Sequence, residues 1–181
     1  VGVGGIGTFL TYVAARSGGE VIAVDVDPRR LEVAGSLGAS RALDPGRQDP
    51  REVVSDLDAL PVIYEATGVP AGFASAWEMV PAGARLVAVG IQKEPLAVDL
   101  PVLTVGEREV IGTNAHAVAV DLPAAARLVA AREEGWSDIA PVVLPLESLV
   151  DDALIPMVEG RSSRIKSLFD PGADNSRPFR V

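Results

Sequence analysis

Three glycines near the start of the chain, Gly2, Gly4 and Gly7, have the G-x-G-x-x-G spacing of a phosphate-binding turn. In such a turn the first glycine permits a tight bend, the second lets a pyrophosphate approach the backbone, and the third lets the next helix pack against a strand. The first amides of that helix then present partial positive charge to the phosphates. The bare spacing is common, and an ordinary tight turn explains it equally well.

A carboxylate follows the glycine turn at the separation that a ribose-binding acid requires. Asp25 ends the apolar run VIAVD and lies 23 residues after Gly2. Such an acid accepts hydrogen bonds from the adenosine ribose, and its charge repels a 2′-phosphate, so it favours NAD over NADP. The alternative for Asp25 is an acid that caps the strand end or faces solvent.

Short β-branched runs alternate along the chain with helical patterns, which predicts strands joined by helices. We predict strands at 21–25, 41–43, 62–65, 85–89, 110–113 and 165–169. We predict helices at 5–16, 28–37, 50–57, 71–80, 122–134 and 146–158. This alternation indicates an α/β fold, a doubly wound (Rossmann) six-stranded parallel sheet with helices on both faces. We expect this domain to span residues 1–169 with a truncated first strand, and residues 170–181 to form a polar C-terminal tail.

Small or neutral residues follow several of the predicted strands, at the sheet edge where ligands of such folds bind. They are Ala66-Thr67-Gly68, Val89-Gly90-Ile91 and Thr113-Asn114. These residues suit a flat ring and a sugar, although glycines at 68 and 90 also fit plain turns. His116 is the single histidine of the sequence, and we interpret it as a loop residue rather than a metal ligand.

The composition excludes several classes of function. The 181 residues include 16 Lys and Arg but 25 Asp and Glu, a net charge of −9, which argues against nucleic-acid partners or anionic membranes. There is no cysteine, so these residues form no disulfide and no thiolate metal site. No apolar run is long enough to span a bilayer. We expect a cytoplasmic protein.

Over about residues 1–169 the chain resembles the cofactor-binding domain of the zinc-type medium-chain alcohol and polyol dehydrogenases. The resemblance rests on GVGGIG (2–7), VIAVDVDPRR (21–30), LGASRALDP (37–45), YEATG (64–68), LVAVG (86–90), VIGTNAH (110–116) and RIKSLF (164–169). It implies the following NAD contacts: Gly2, Gly4, Gly5, Ile6 and Gly7 at the pyrophosphate; Asp25 and Arg30 at the adenosine; Ala66 and Thr67 in the adenine-side cleft; Val89, Gly90, Ile91, Thr113 and Asn114 near the nicotinamide; and Arg164 at the pyrophosphate, with Arg161 as its competitor.

The resemblance also implies an activity, namely hydride transfer from a secondary alcohol or polyol to NAD. In the family, the catalytic zinc and its ligands lie in a separate domain before the glycine turn, and here only Val1 precedes Gly2. We therefore expect a fragment of a longer enzyme, inactive by itself, with no catalytic or metal-binding residue in 1–181. The resemblance further implies a homodimer or homotetramer formed through sheet edges, with 109–113 and 139–144 as candidates.

Other functions remain open. A zinc-free quinone reductase of the same superfamily usually takes NADPH, which Asp25 disfavours. An S-adenosylmethionine-dependent methyltransferase also places an acid after its second strand, and a redox-sensing module binds NAD(H) without catalysis. A short-chain dehydrogenase is excluded because Tyr12 and Tyr64 are followed four residues later by Arg16 and Gly68 rather than lysine, and no Gly-Lys pair provides a P-loop.

Overall fold

A computed structural model of the protein describes residues 1–179. The chain divides into two compact units, Val1–His116 and Ala117–Val181. The helices of the first unit are α1 (Gly7–Arg16), α2 (Pro28–Ser36), α3 (Pro50–Ser55), α4 (Pro70–Glu78) and α5 (Leu100–Val105). Its strands are β1 (Ile22–Val24), β2 (Arg41–Leu43), β3 (Val62–Glu65), β4 (Arg85–Ala88) and β5 (Glu109–Gly112).

The strands of the first unit form two parallel sheets. β1 pairs with β2, and the second sheet has the order β3-β4-β5. The prediction of an α/β fold with parallel strands and alternating helices is therefore confirmed, whereas the prediction of one six-stranded parallel sheet is wrong.

The two sheets remain separate because Val1 and Gly2, which lie in space between β1 and β3, are too few to form a strand. The Gly2 N–H donates to the Val24 carbonyl at 2.8 Å, and the Ala66 N–H donates to the Val1 carbonyl at 2.9 Å. The Val1 ammonium donates to the Tyr64 carbonyl at 2.7 Å. These are contacts of a strand parallel to both neighbours, but Val1 and Gly2 make single bonds rather than a continuous ladder.

Three of the helices begin with a capping aspartate and have a proline in their first turn. Asp27 accepts a hydrogen bond from the Arg29 amide at 3.0 Å, and Asp49 caps α3 through the Arg51 amide at 2.9 Å. Asp99 caps α5 in the same way, through the Val102 amide at 3.1 Å. A cap oxygen satisfies an amide that has no partner within its helix, and proline suits the first turn. The sequence analysis missed α5, although Asp99 and Pro101 carry this signal.

The core of the first unit packs on both faces of its strands. Val24 and Leu86 lie in a buried cluster with Phe73, Met79 and Val80 from α4 and the residues after it. On the opposite face of β1, Ala23 is buried in a second cluster with Val3, Leu31 and Ala34. Because neighbouring residues of a strand point to opposite faces, this division shows helices covering both sides, as predicted.

The second unit has a small sheet centred on β6 (Val142–Pro145). Its neighbours are β7 (Leu168–Asp170), which runs parallel, and β8 (Arg177–Pro178), which runs antiparallel. The helical segments are α6 (Val118–Ala130), a 3₁₀ turn (Leu146–Ser148), a π-helix (Leu149–Leu154) and α7 (Ile155–Val158). In residues 1–179 no helix is both long and apolar enough to cross a bilayer.

Part of the predicted C-terminal tail takes part in this sheet. β8 lies within the segment 170–181, and the Phe179 amide donates to the Pro141 carbonyl at 3.1 Å. Residues 180 and 181 of the predicted tail lie outside the described residues. β7 occupies one edge of the short apolar strand β6, and β8 pairs with the other edge.

Each unit contains one of the two tryptophans. Trp136 is buried in the second unit, where its Nε1 donates to the Val129 carbonyl at 2.9 Å and the Arg132 guanidinium lies 4.8 Å from its ring centre. In the first unit the Arg108 guanidinium lies 5.4 Å from the ring centre of Trp77. Both contacts have cation–π geometry.

The position of the Val1 ammonium predicts a pH dependence of stability. Desolvation lowers the pKa of this group from 8.0 to about 6. Between these two values the unfolded chain binds more protons than the folded chain, so stability rises with pH. For a polypeptide that begins at Val1, we expect the free energy of unfolding in urea to increase by up to about 2 kcal/mol from pH 6 to pH 8.

The control is the same polypeptide acetylated at its terminal amine, which removes the titrating group. Its free energy of unfolding is expected to change less over this interval. An equal pH dependence in both forms would contradict the burial of the ammonium.

Candidate functional site

The glycine turn is shaped by two positions at which the backbone admits no side chain. Gly2 has φ +82°, and a Cβ there would lie 2.6 Å from the Thr67 Cγ2. A Cβ at Gly7 would lie 1.8 Å from the Gly2 carbonyl oxygen. Packing within the protein therefore explains both glycines without any ligand.

Gly4 differs from its two neighbours in the motif. Within residues 1–179, a Cβ at Gly4 would approach only the Arg30 guanidinium, at 3.7 Å. The fold therefore leaves a space beside this backbone that is bounded only by the guanidinium, as expected where a ligand approaches the chain. Gly5 is half-buried in the same turn.

The start of α1 adjoins this open space. Ile6 occupies the cap position, is 56% exposed and supplies no capping side chain, and no acidic residue lies in the first turn. The helix therefore begins without a negative side chain of its own. Such an end is electrostatically suited to an anion.

Asp25 lies at the end of β1 with its carboxylate directed at the glycine turn. Its Oδ2 accepts a hydrogen bond from the Val3 amide at 2.8 Å, and its Oδ1 accepts one from the Asp27 amide at 2.9 Å. The Arg30 Nη1 lies 3.7 Å from Oδ2. The side chain of Asp25 is only 5% exposed, so a purely solvent-facing acid, one alternative from the sequence, does not describe it.

Arg30 places a positive charge at the rim of the same turn. Its side chain is 46% exposed, and its Nε lies 3.9 Å from Asp27 as well. The sequence therefore brings together Asp25, Arg30 and the open backbone of Gly4. This group combines a carboxylate, a guanidinium and a helix start on one side of the first unit.

Glu65 is a buried carboxylate that the sequence analysis did not single out. It ends β3 with no exposed surface. Its Oε1 accepts from the Thr67 amide at 2.6 Å, the Gly68 amide at 3.2 Å and the Thr67 hydroxyl. Its Oε2 accepts from the Gln92 side chain at 3.1 Å. The charge is thus compensated by donors from the two loops that follow β3 and β4.

The loops after β3 and β4 touch each other. A Cβ at Gly90 would lie 2.3 Å from the Gly68 amide, and one at Gly68, where φ is +68°, would lie 3.1 Å from the Ile91 carbonyl. Because Thr67 also packs against Gly2, the predicted residues Ala66 and Thr67 adjoin the glycine turn. The plain-turn interpretation of Gly68 and Gly90 is incomplete, since both positions also require close backbone approach.

The remaining predicted residues lie farther along the chain. Val89 follows β4 and donates its amide to the Glu65 carbonyl at 2.8 Å, while Thr113 follows β5 and donates to the Ala88 carbonyl at 3.2 Å. Asn114 is exposed. The carboxyl ends of β3, β4 and β5 share one edge because these strands are parallel.

Two predicted assignments fall outside this group. Arg164 belongs to the second unit, where its guanidinium donates to the Asp152 carbonyl at 2.9 Å. Its competitor Arg161 pairs with Glu159. In the part of the chain that the structure describes, no three His, Asp or Glu residues lie together as potential metal ligands, and His116 is exposed.

Comparison with known proteins places the chain in a family. A profile of the zinc-binding dehydrogenases matches residues 5–131, which is most of the sequence. The chain belongs to the zinc-binding dehydrogenase family. The resemblance drawn from the sequence is thus confirmed.

Relatives of this zinc-binding dehydrogenase chain are longer than the chain itself. The L-threonine 3-dehydrogenase of Symbiobacterium thermophilum is 35% identical over 103 residues, which is 55% of this chain and 29% of that protein. The L-threonine 3-dehydrogenase of Burkholderia lata is 34% identical over 102 residues, 54% of this chain and 30% of that protein. The chain thus matches less than one third of the length of these relatives.

Solved structures of several dehydrogenases share the fold of this chain. The 2R,3R-butanediol dehydrogenase from Bacillus subtilis superposes with a TM-score of 0.80 at 22% identity, over 94% of this chain and 49% of that one. A protein described as a short chain alcohol dehydrogenase from E. coli CFT073, complexed with NADH, gives a TM-score of 0.74 at 22% identity, over 93% of this chain and 50% of that one. At these identities the similarity establishes the fold.

The burial of Glu65 predicts a large effect of its removal. Glu65→Ala leaves the amides of Thr67 and Gly68 without their acceptor, and we expect the free energy of unfolding to fall by about 3 kcal/mol or more. Glu65→Gln retains one side-chain oxygen for these amides, so we expect a smaller decrease in the free energy of unfolding. Denaturant unfolding followed by circular dichroism measures both.

Glu78→Ala is the matched control. Glu78 is 61% exposed and its oxygen lies 3.4 Å from Arg51, so we expect a change below about 1 kcal/mol. Equal stability of the Glu65→Ala and Glu78→Ala variants would show that Glu65 does not hold the two loops.

Proposed function

We propose that the first unit binds NAD(H) and that the chain is the cofactor-binding part of a zinc-dependent alcohol or polyol dehydrogenase. The observation that carries this proposal is the room beside the Gly4 backbone, where an added Cβ would meet only the Arg30 guanidinium among residues 1–179, at 3.7 Å. The buried Asp25 carboxylate and the Arg30 guanidinium flank that space. Family membership supports the same function.

The residues of the turn suit the chemistry of a dinucleotide. Gly4, Gly5 and Ile6 offer backbone and a helix start to the pyrophosphate, which is anionic. Asp25 is suited to accept hydrogen bonds from the adenosine ribose, since an ionised carboxylate has more acceptor sites than its two backbone donors occupy. Arg30 adds a positive charge at the adenosine side. These side chains bind and orient, and none of them exchanges a proton with substrate.

The loops after the strands supply the second half of the proposed site. Ala66 and Thr67 adjoin Gly2, and we assign them to the adenine-side cleft. Val89, Gly90, Ile91, Thr113 and Asn114 are assigned to the nicotinamide side. The assignment of Arg164 to the pyrophosphate follows from the resemblance alone. Glu65 contributes indirectly, because it fixes the loops that carry Thr67 and Gly68.

The proposed reaction is hydride transfer between a secondary alcohol and the cofactor. When bound, NAD supplies the hydride acceptor. The contribution of this chain is to hold the cofactor in one orientation, and positioning of reactants can account for about 7–11 kcal/mol of a reaction barrier. The described residues do not include a fitting set of zinc ligands, so we assign no step of the reaction to a metal held by this chain.

The names of the relatives support a small secondary alcohol or polyol as substrate. L-threonine carries its hydroxyl on carbon 3, and butanediol oxidised at a 2R or 3R centre is also a secondary alcohol. We propose this substrate class for the whole enzyme. The polypeptide of residues 1–181 by itself is expected to show no turnover with NAD, zinc and such alcohols.

We also propose assembly into a homodimer or homotetramer through sheet edges in the cytoplasm. Among the described strands β5 pairs only with β4, and its residues Val110 and Ile111 are 43% and 39% exposed. An open strand edge with apolar side chains favours pairing with another chain.

The Gly4→Ala variant tests the proposed pyrophosphate site. The structure has room for the added methyl, so we expect stability to change by less than about 1 kcal/mol. The methyl would occupy the approach of the diphosphate, so the dissociation constant for NADH should rise about tenfold or more. Titration of NADH fluorescence measures the affinity, and urea unfolding measures the stability.

Gly35→Ala in α2 is the matched control, because a Cβ there has no atom within 4 Å among the described residues. It should bind NADH as the unaltered chain does. If the Gly4 and Gly35 variants bind NADH equally well, the open space at Gly4 is not the cofactor site. S-adenosylmethionine in the same titration tests the methyltransferase alternative.

The Asp25→Ala variant tests the preference for NAD. Removal of the carboxylate eliminates both its bonds to the ribose and its repulsion of a 2′-phosphate. We expect the ratio of NADH affinity to NADPH affinity to fall about tenfold or more, because each tenfold corresponds to about 1.4 kcal/mol. Asp27→Ala removes a nearby acid that pairs with Arg29 and should leave the ratio unchanged. An unaltered ratio in Asp25→Ala would remove the ribose assignment.

A further inference from the structure

Glu65 is joined to the loop after β4 at three points. Its backbone carbonyl accepts hydrogen bonds from the amides of Val89 at 2.8 Å and Gly90 at 2.9 Å. Its side-chain Oε2 accepts one from the Gln92 Nε2 at 3.1 Å, the one donor that this oxygen has among the described residues. The donors to Oε1 all lie in the loop after β3. One carboxylate thus divides its two oxygens between two loops.

The side chain of Gln92 donates to this carboxylate while its own amide oxygen stays unpaired. The Gln92 Oε1 is buried and has no hydrogen-bond partner among the described residues. A buried amide oxygen without a donor is unfavourable. Turning the amide over would bring that oxygen against the Glu65 carboxylate, and two acceptors repel each other. The orientation of this side chain is therefore set by Glu65.

The backbone of the loop after β4 lies directly against the carboxylate. A Cβ at Gly90 would lie 2.8 Å from the Glu65 Oε2 and 2.3 Å from the Gly68 amide nitrogen. A shift of this loop away from β3 would therefore open the carboxylate to solvent or separate it from its donor. Because a buried charge requires its hydrogen bonds, the burial of Glu65 and the position of the loop depend on each other.

The segment that carries Gln92 has little other support near β4. Residues 89–99 contain no helix or strand. Leu96 and Val98 pack against the core cluster of the first unit, which holds the end of the segment next to α5. Within the described structure, the bond from Gln92 is the one hydrogen bond that ties residues 91–95 to the rest of the unit.

We propose that Gln92 is a positioning residue. Its amide holds the loop after β4 against the loop after β3 through the Glu65 carboxylate, and it thereby fixes the backbone of Val89, Gly90 and Ile91. This role in cofactor binding rests on the proposed function, because these three residues are assigned there to the nicotinamide side. Gln92 acts through its neighbours, since its nitrogen is bonded to Glu65 and its oxygen is buried.

The first experiment titrates the 181-residue chain calorimetrically with NADH and with ADP-ribose, which lacks the nicotinamide. Gln92→Leu keeps the approximate size of the side chain but has no donor for Glu65. We expect its dissociation constant for NADH to rise about tenfold, and that for ADP-ribose to change less than about twofold. Glu94→Gln, at an exposed position of the same loop, is the matched control and should bind both ligands as the unaltered chain does. Equal losses for the two ligands, or no loss for either, would overturn the proposal.

A reciprocal exchange tests whether the contact is direct. Gln92→Glu alone sets two carboxylates against each other and should weaken NADH binding at least as much as Gln92→Leu. Glu65→Gln combined with Gln92→Glu restores one acid and one amide in contact. We expect the double variant to bind NADH about fivefold or more tightly than the Gln92→Glu single variant, because directly coupled residues are not additive. A double variant that binds no better than the single one would contradict the positioning role.

Hydrogen exchange measures the same contact without a ligand. In Gln92→Leu we expect the Val89 and Gly90 amides, which bond to Glu65, to exchange about tenfold faster than in the unaltered chain. The Asp25 amide, which bonds to β2, should keep its rate. If the unaltered chain binds neither ligand, the proposed function is wrong and these rates decide the role of Gln92 by themselves. Unchanged rates at Val89 and Gly90 would then exclude it.

Discussion

The close approach of backbone turns at the strand ends is the constraint on which the rest of the first unit depends. Gly2 lies against Thr67, Gly7 lies against Gly2, and Gly90 lies against Gly68. Each contact excludes a side chain, so the turns form one continuous surface of backbone. At Gly4, within the same surface, an added Cβ would meet only the Arg30 guanidinium among the described residues.

Two buried carboxylates stabilise this surface by related means. Asp25 accepts from the amides of Val3 and Asp27, and Glu65 accepts from those of Thr67 and Gly68. Burial of an ionised group is unfavourable unless it is paired or hydrogen-bonded, and both acids are supplied with backbone donors. Asp25 also has the Arg30 guanidinium nearby. It therefore stabilises the glycine turn and lies beside the space at Gly4. Glu65 has no exposed surface, and its task is to hold the loops in place.

Much of the fold follows from local sequence signals. The β-branched runs located the strands of the first unit to within a residue or two, and the Asp-Pro pairs explain where α2 and α3 begin. The two-sheet arrangement was not predictable in this way. It depends on the tertiary position of Val1 and Gly2, which lie in space between β1 and β3 but are too few to form a strand. β8 also escaped prediction, since Arg177 and Pro178 carry no β signal and pair only because β6 offers an edge.

The candidate site shows the same limits of local reasoning. The spacing of the glycines and of Asp25 identified the turn, but nothing in that spacing separates Gly4 from Gly2 and Gly7, which differ only through tertiary contacts. Glu65 was quoted as part of the YEATG segment without a role, because a single acid at a strand end has no sequence signature of burial. Arg164 lies in the second unit, so its assignment still rests on the resemblance.

The distribution of the indole side chains gives the molecule two internal optical probes. Trp77 belongs to the unit that contains the glycine turn, and Trp136 belongs to the other. Replacing either ring by phenylalanine leaves a chain whose emission comes from a single unit. Each such chain would show whether its half melts independently or in concert with the remainder, with no dye or label attached.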